Sequence, residues 1–307
     1  MGQKFTIITG YNGFVGSNLV HYLNVKKKNI IGVSRVPSNN DLSYETLSLE
    51  KLNESKTFIH LAGKAHDLKN TSEDAAYFEV NTELTKTVFN RFLQSDCETF
   101  IYMSSVKAVA DKVDEFLDEG VVPNPITAYG KSKLAAEKYI LSQKLPTGKR
   151  VYILRPCMIH GPNNKGNLNL LYSFVSKGIP YPFGKYKNQR SFVSVENLCF
   201  VIKELIENKN IDSGVYNVAD DTPLSTKELV QIMGEVIDKK TKILNIPKSI
   251  VGLISRIGDV LPIPINSERV QKLTDNYCVS NQKIKDAIGK ELPLSAQEGI
   301  EKTIKSF

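Results

Sequence analysis

Hydrophobic and polar positions follow a regular rhythm over the first two thirds of the chain. Short apolar runs, which are typical of buried strands, are followed by longer segments in which apolar residues recur at helical spacing. The predicted strands lie at 5–9, 30–34, 57–62, 99–104, 151–155 and 214–218. The predicted helices lie at 14–24, 75–94, 129–144 and 195–208. This alternation predicts an α/β fold with a doubly wound parallel sheet between layers of helices.

Two segments, 163–190 and 222–307, do not continue this rhythm and carry most of the prolines. They predict a second, smaller lobe, which we call the cap. The expected division is a sheet domain at 1–165, to which 191–221 returns, and a C-terminal cap at 166–307.

The first predicted strand runs into a glycine-rich turn. Its sequence is Thr9-Gly10-Tyr11-Asn12-Gly13-Phe14-Val15-Gly16, with glycines at positions 10, 13 and 16. This spacing allows a tight turn, close approach of a ligand to the backbone, and packing of the next helix on the strand. The N-terminus of that helix favours phosphate. The segment therefore predicts a Rossmann-type site for a dinucleotide.

Three further residues predict acid–base chemistry. Tyr129 and Lys133 lie four residues apart on one predicted helix, and Ser105 follows the strand that precedes it. A nearby ammonium lowers the pKa of a phenol and so makes it a proton donor at neutral pH. A serine hydroxyl can hold the substrate oxygen that exchanges this proton. Together with a dinucleotide, these groups predict hydride transfer to or from an alcohol or ketone.

Several other short segments can be read together with these. They are His60-Leu61-Ala62-Gly63, Asn81, Ser104-Ser105, Leu154-Arg155-Pro156, Gly161-Pro162, Arg190 to Leu198 and Gly214 to Val218. In this order and spacing, nearly the whole chain resembles the extended short-chain dehydrogenase/reductases that modify nucleotide sugars. It looks most like the UDP-galactose 4-epimerases and the 4-keto-sugar reductases of bacterial polysaccharide synthesis.

The resemblance implies that Ser105, Tyr129 and Lys133 are catalytic. Tyr129 would exchange a proton with O4 of the sugar, Ser105 would hydrogen-bond the same oxygen, and Lys133 would bind the nicotinamide ribose. The implied cofactor contacts are Gly10, Gly13, Phe14, Val15, Gly16, Ser34, Arg35, Leu61, Ala62, Gly63, Ser104, Tyr129, Lys133, Pro156 and Met158.

The implied substrate contacts are Lys107, Asn167, Leu168, Arg190 and Arg269. Arg190 and the Asn167 segment match positions that hold the nucleotide diphosphate, and a guanidinium suits phosphate. Lys107 and Arg269 have alternative interpretations as an exposed lysine and a surface salt bridge. The chain departs from the 4-epimerases in one respect, because Met158 stands where they place an asparagine.

The end of the second predicted strand bears on the choice of cofactor. Ser34 and Arg35 stand where an acidic residue would bind the ribose 2′-hydroxyl of NAD. A serine and a guanidinium favour a 2′-phosphate instead, so NADP(H) is the preferred cofactor. If Arg35 only stacks on adenine, NAD(H) remains possible.

The choice of cofactor bears in turn on the reaction. A reductase consumes fresh NADPH, whereas a 4-epimerase keeps NAD bound and returns the hydride to the other face of the sugar. The missing acid therefore favours a 4-keto-sugar reductase acting at C4 of a nucleotide-activated, UDP-linked sugar; a UDP-sugar 4-epimerase is the alternative. A non-catalytic NADP sensor or scaffold is a third hypothesis, which the joint presence of Ser105, Tyr129 and Lys133 disfavours.

Composition limits the remaining possibilities. With 307 residues, 41% of them hydrophobic, the chain can bury a sizeable core. The net charge of +7 comes from scattered lysines, which suit an anionic small molecule. No motif for nucleic acid is present, and the apolar stretch from Ile250 to Ile265 is too interrupted to span a membrane.

The four cysteines are Cys97, Cys157, Cys199 and Cys278, and their spacing does not suit a metal site. They indicate thiols in a reducing compartment. We therefore expect a cytoplasmic protein without a metal, and a homodimer.

Overall fold

The computed structural model describes residues 4–25, 29–37, 41–64, 73–113, 115–164, 166–260 and 266–307. The strands are β1 (Phe5–Thr9), β2 (Ile30–Val33), β3 (Ser55–His60), β4 (Thr99–Met103), β5 (Phe116–Leu117), β6 (Arg150–Pro156), β7 (Met158–His160), β8 (Phe192–Ser194), β9 (Gly214–Val218) and β10 (Cys278–Val279). All six predicted strands are present, with ends displaced by no more than two residues.

The helices are α1 (Phe14–Val25), α2 (Leu49–Asn53), α3 (Asp74–Phe78), α4 (Leu84–Gln94), α5 (Ala128–Ser142), α6 (Asn167–Ser176), α7 (Val195–Glu207), α8 (Thr226–Val236), α9 (Lys248–Val260), α10 (Ser267–Thr274), α11 (Gln282–Ile288) and α12 (Ala296–Ile304). A π-helical turn at Glu79–Glu83 joins α3 to α4, and a 3₁₀ turn occupies Val106–Ala108. The single helix predicted at 75–94 is therefore wrong in detail. Within the described ranges, no helix is both long and apolar enough to cross a bilayer.

The main sheet is parallel, and its described strands follow the order β2-β1-β3-β4-β6-β9. The chain leaves β1 for β2 on one side and then crosses to β3 on the other. The order of strands therefore reverses at β1. In an open α/β sheet, ligands bind at the carboxyl ends of the strands at such a reversal. The glycine turn follows β1 directly, so the predicted α/β fold places its dinucleotide segment at this point.

A short extension of the sheet was not predicted. Leu42 forms a parallel bridge with Val33 beyond β2. The Leu42 N–H donates to Gly32 O at 2.9 Å, and the Ser34 N–H donates to Leu42 O at 3.0 Å. This bridge brings the segment that begins at Asp41 against the end of β2.

Apolar residues cover both faces of the sheet. Neighbouring strand residues point to opposite faces, so Ile8 and Ile59 join one cluster with α1, α7 and α11, while Ile7 and Phe58 join another with α4 and α5. Strands that are buried on both faces have continuous apolar runs rather than alternating ones. This explains why the strands were easy to locate in the sequence.

The segments that lacked the strand–helix rhythm form helices around a third apolar cluster. This cluster includes Leu168 of α6, Leu229 of α8, Val251 of α9 and Ile300 of α12. Short two-stranded pairings, β7 with β8 and β5 with β10, connect these helices to the rest of the chain. The division at 165/166 stays a prediction, since contacts of this kind cross it.

Candidate active site

The glycine turn is fixed by its approach to the strand on the other side of β1. Gly10 has a φ of +68°, and a Cβ at this position would lie 2.7 Å from Ala62 N. Glycine is therefore required here for both backbone conformation and space. Helix α1 begins at Phe14, so the first amides of the helix, at Phe14 and Val15, lack intrahelical acceptors. These amides and the open turn fit the diphosphate of a dinucleotide.

A buried histidine, His60, supports this turn through hydrogen bonds. This role was not predicted from the sequence. The His60 ring lies 2.7 Å from Thr9 Oγ1 through Nδ1 and 3.0 Å from Thr85 Oγ1 through Nε2. Thr9 Oγ1 also accepts from Ala62 N at 3.2 Å. Burial lowers the pKa of His60 to about 3, so the ring is neutral. His60 thus joins the ends of β1 and β3 as a neutral structural brace.

Ser105 and Tyr129 are brought together by the packing of α5 on the 3₁₀ turn. A Cβ at Gly130 would lie 2.4 Å from Lys107 O, so the two backbones are in close contact at this point. The Thr127 side chain caps α5 by accepting from Gly130 N at 3.2 Å. The cap and the close contact fix the start of α5, and they thereby hold the Tyr129 phenol beside the Ser105 hydroxyl.

The pKa of Tyr129 differs from the sequence-based expectation. Burial raises the pKa of its phenol, and a hydrogen bond with the Ser105 hydroxyl offsets part of the rise. We had expected Lys133 to lower the pKa of this phenol, and the environment raises it instead. Tyr129 is therefore protonated at neutral pH and can donate its proton.

Lys133 lies deeper, beneath the end of β4. Its Nζ donates to Met103 O at 2.8 Å and lies 5.0 Å from the ring centroid of Tyr102. Burial lowers the pKa of Lys133 to about 8, although the Glu137 carboxylate acts in the opposite direction. The ammonium is thus held by a backbone carbonyl, and it lies so close to Gly63 that a Cβ at that glycine would be 2.9 Å from Nζ.

Glu137 is part of a buried ion pair that the sequence did not reveal. Arg155 Nη2 donates to Glu137 Oε2 at 2.6 Å, and Arg155 Nε donates to Oε1 at 3.0 Å. The Ser104 hydroxyl donates to the same carboxylate. Both charged side chains are almost completely buried. The pair therefore links α5, β4 and β6 directly below the predicted catalytic residues.

Asn81 connects the segment that follows β3, at Lys64, to helix α5. Its Oδ1 accepts from Lys64 N at 2.8 Å, and its Nδ2 donates to Ser132 Oγ at 3.0 Å and to Lys64 O at 3.1 Å. Asn81 lies in the π-helical turn, and such turns often occur near functional sites. The fully buried amide thus has partners on both sides, as expected for a structural brace.

An acidic residue from a later segment lies beside the end of β2, which the sequence did not predict. Asp41 Oδ1 accepts from Gly32 N at 3.0 Å, and Asp41 Oδ2 accepts from the Tyr11 hydroxyl of the glycine turn. The Ser34 hydroxyl donates to Val36 O at 2.7 Å, and Arg35 is exposed. Ser34 and Arg35 therefore directly follow β2, as predicted. The Asp41 carboxylate binds the backbone of Gly32, which precedes Ser34 by two residues.

Two of the basic residues predicted to bind substrate, Lys107 and Arg190, interact with the same tyrosine. Lys107 Nζ lies 4.5 Å from the ring centroid of Tyr277 and donates to Asp111 O at 2.8 Å. Arg190 forms backbone bridges with Leu224 and Tyr277, and its charge lowers the pKa of Tyr277 against the larger effect of burial. Two basic residues from distant segments thus both interact with Tyr277.

The other predicted contacts are less close to these groups. Leu168 is buried in the cap cluster, so its backbone is the part that could meet a ligand. Pro156 ends β6, and Met158 begins β7 on the way from the sheet into the cap. Asn167 is the first residue of α6, and Arg269 lies in α10. The side chains of both residues are outside the described part of the structure.

Neither cysteines nor carboxylates form a metal site in the part of the chain that is described. All four cysteines are buried free thiols. Among the described residues, no three His, Cys, Asp or Glu side chains are grouped so that they could hold an ion.

Comparison with known proteins identifies the family. Residues 6–219 match the model of the NAD dependent epimerase/dehydratase family. The chain belongs to this family. A UDP-glucose 4-epimerase from Vibrio cholerae is 30% identical over 319 aligned residues, which cover 99% of this chain and 95% of that protein. As a member of a family of nicotinamide-dependent enzymes, the chain is an enzyme, and the sensor or scaffold hypothesis is set aside.

Two further proteins are similar to this chain over nearly their whole length. An N-acetyl-alpha-D-glucosaminyl-diphospho-ditrans,octacis-undecaprenol 4-epimerase from Escherichia coli O157:H7 is 26% identical, with 97% of this chain and 93% of that protein covered. The structure of RMD from Pseudomonas aeruginosa complexed with NADPH has a TM-score of 0.72 at 20% identity, with coverage of 99% and 98%. The structural similarity shows that the two proteins share a fold.

Proposed function

We propose that the protein catalyses NAD(P)-dependent oxidoreduction at C4 of a nucleotide-activated sugar, with UDP as the nucleotide. The observation that supports this most directly is the convergence of Ser105, Tyr129 and Lys133 at the carboxyl edge of the sheet, next to the glycine turn. Membership of the family supports the use of a nicotinamide cofactor and a nucleotide sugar. The position on the sugar and the roles of the residues are our inference.

The residues around the turn would hold the cofactor. The amides at the start of α1 would bind its diphosphate, the end of β2 its adenine ribose, and Lys133 the hydroxyls of its nicotinamide ribose. When bound, a nicotinamide dinucleotide supplies or accepts the hydride at C4.

The protein's own groups perform the proton transfer. The Ser105 hydroxyl would hydrogen-bond O4 and orient the carbonyl carbon. Tyr129, which burial keeps protonated in the ligand-free protein, would donate its proton to O4 as the carbonyl is reduced to an alcohol. In the opposite direction its phenolate would take the proton from the alcohol. Lys133 Nζ, held by Met103 O, supplies the positive charge that stabilises this phenolate.

The net reaction is proposed to be reduction of a 4-keto sugar. Ser34 and Arg35 directly follow β2, at the chain positions where an acidic residue would bind the ribose 2′-hydroxyl of NAD. They favour NADPH, which is consumed in a reduction. A protonated Tyr129 also suits a reaction that begins with proton donation.

A 4-epimerase is the second candidate, and the two relatives described above carry that name. Asp41 near the end of β2 supports it as well, because a carboxylate there would repel a 2′-phosphate. Both reactions use the same catalytic residues.

The carrier of the sugar has a second candidate too. The relative from Escherichia coli is named for a substrate with a diphospho-undecaprenol carrier. A diphosphate is common to both carriers, so Arg190 and Lys107 could bind either one. A group of exposed apolar residues on the cap, described in the next section, favours the lipid-linked carrier as an alternative to UDP.

An isotope experiment distinguishes these reactions. The purified protein would be incubated with UDP-sugars and 4-keto UDP-sugars in the presence of NADPH carrying deuterium on the transferred position. A reductase places deuterium at C4 of the product and oxidises NADPH in equal amounts, as followed by absorbance. An epimerase interconverts the 4-epimers with no net oxidation and with nucleotide retained on the protein.

Tyr129→Phe is the matched control, because it removes one hydroxyl and nothing else from the site. No turnover of any C4 sugar by the wild-type protein, with bound nucleotide verified by mass, would contradict the proposed function.

A further inference from the structure

Helix α9 of the cap exposes its bulky apolar residues. Ile250, Leu253 and Ile257 are 48%, 62% and 45% exposed, and their spacing places them on one face of the helix. We call these three residues the α9 stripe. The opposite face carries Val251 and Ser255, which are only 3% and 5% exposed.

Packing among the residues that the structure describes does not account for this arrangement. The buried Ser255 hydroxyl donates to Gly252 O at 3.0 Å, and its oxygen lies 3.4 Å from the Ser267 hydroxyl oxygen. The helix thus buries a polar side chain while three branched aliphatic side chains face outward. Single exposed apolar residues are common on proteins, but several together on one face mark a surface that another body covers.

Basic residues are frequent in α9 and in the segment that leads into it. Segment 238–260 contains five basic residues and two acidic ones; the basic residues are Lys239, Lys240, Lys242, Lys248 and Arg256, and all are exposed. One of the acids, Asp259, already accepts from the Ser267 N–H at 2.9 Å and from the Ser267 hydroxyl at 2.6 Å. Helix α9 and the segment before it therefore combine an apolar stripe with an excess of positive charge. We call the two basic residues of the helix itself, Lys248 and Arg256, the basic border.

We propose that α9 docks on the surface of an anionic lipid bilayer. An apolar stripe with a basic border is the pattern of a helix that lies in the membrane interface. The helix has 13 residues, so it is about 20 Å long and too short to cross a bilayer. The α9 stripe inserts at the level of the acyl chains while Lys248 and Arg256 contact the headgroups.

The charges favour a bilayer over a second copy of the chain. In a symmetric dimer through α9, the same basic border would face itself, and like charges oppose association. An anionic surface attracts each of these residues instead.

The docking surface is part of the lobe that is expected to hold the diphosphate. Val251 packs in the same apolar cluster as Leu168 and Leu224, and Leu224 forms the backbone bridge with Arg190. Docking through α9 would therefore hold the substrate side of the cap at the membrane. The inference rests on the exposed face itself and does not require that the proposed C4 chemistry be correct.

Vesicle flotation tests this proposal with the full-length protein. The probes are vesicles of mixed phosphatidylglycerol and phosphatidylcholine, and vesicles of phosphatidylcholine alone. We expect the wild-type protein to float with the anionic vesicles and not with the neutral ones. The triple variant Ile250→Gln/Leu253→Gln/Ile257→Gln should lose at least about tenfold in apparent affinity, because it removes the inserted apolar area.

Leu141→Gln is the matched control. Leu141 is 58% exposed near the end of helix α5, compared with 62% for Leu253, so both changes replace an equally exposed helical leucine. This variant should bind vesicles like the wild type. Thermal melting should show that all variants are folded, as expected for changes at exposed positions.

The basic border can be tested separately. Lys248→Gln/Arg256→Gln should weaken binding to anionic vesicles by about fivefold for each charge removed and should reduce its dependence on salt. Turnover of soluble nucleotide sugars without vesicles should be unchanged in this variant. The failure of membrane docking and the failure of the proposed C4 reaction are therefore observed in different assays.

Two results would overturn the proposal. The first is a wild-type protein that does not float with anionic vesicles, or a triple variant that floats as well as the wild type. The second is a wild-type oligomer that does not float and that the triple variant converts to monomers, which would show that a second copy of the chain covers the α9 stripe.

Discussion

The sheet and the cap of this enzyme hold their site residues in different ways. At the carboxyl edge of the sheet, Lys133 and Ser104 are buried and are held by groups from neighbouring strands and helices. In the cap, Arg190 is only partly buried and is positioned through backbone bridges to Leu224 and Tyr277. The comparison indicates that the candidate reacting groups are fixed by a buried polar network, whereas the proposed substrate side depends on contacts between distant segments. Variants in the sheet should therefore affect the chemistry and the stability, and variants in the cap should affect affinity.

The largest effect is expected from the sheet. Tyr129→Phe should lower kcat by about 10²–10⁴-fold, because the only group lost is the proton donor. Dinucleotide binding, measured by calorimetry, should remain close to that of the wild type. If kcat stays within a few-fold of wild type, another residue donates the proton and the sheet edge has a different role.

The buried ion pair of Glu137 and Arg155, next to the proposed catalytic residues, should contribute strongly to stability. Glu137→Leu should lower the free energy of unfolding by about 3–5 kcal/mol, because it leaves the buried Arg155 guanidinium without a partner. The measurement is urea denaturation followed by circular dichroism.

The double variant Glu137→Leu/Arg155→Leu serves as the control for this prediction. It should recover a large part of the loss, since no uncompensated charge remains. A double variant that is less stable than both single variants would show that the two residues act independently.

The end of β2 tests the choice of cofactor. Arg35→Ala should weaken NADPH by about ten- to a hundredfold while leaving NADH nearly unchanged, as expected for loss of a charged hydrogen bond to a 2′-phosphate. Dissociation constants from fluorescence titration provide the measurement. Asp41→Asn is the informative companion, since it should favour NADPH if that carboxylate approaches the ribose. Equal losses for both cofactors would mean that Arg35 stacks on adenine.

In the cap, Arg190→Lys should raise KM for the diphosphate-linked sugar by about tenfold and leave kcat unchanged. A lysine keeps the charge but cannot form two parallel hydrogen bonds with a phosphate. Lys107→Arg provides a comparison at the neighbouring cation, where the charge should matter more than the shape. A fall in kcat with KM unchanged would show that Arg190 belongs to the chemical half of the site.

The smallest effect concerns pH. The pKa of Lys133 is lowered to about 8, so the ammonium is present below this value and is lost as the pH rises through it. If the charge is needed, kcat/KM should fall by about fourfold between neutral pH and pH 8.5. Lys133→Arg remains charged throughout this range and should show no such decline. A decline of the same size in both proteins would assign it to another group.

Much of the sheet could be predicted from the sequence, for a local reason. Strands buried on both faces have continuous apolar runs, and the glycine turn lies directly between such a run and a helix. The spacing from Tyr129 to Lys133 is also local, because one helix carries both residues. The π-helical turn around Asn81 was missed, since its apolar positions continue the spacing of a regular helix.

The sequence by itself thus determined the α/β architecture, the position of the dinucleotide turn and the candidate proton donor, since each depends on residues close together in the chain. Tertiary structure alone decided that Asp41 approaches β2, that Glu137 pairs with Arg155, and that Lys107 and Arg190 both interact with Tyr277. It also decided that α9 exposes its aliphatic face, because the apolar spacing of a helix does not show which side its neighbours will cover. Polar partners in a fold are chosen by packing across large sequence separations, and a linear pattern contains no record of that choice.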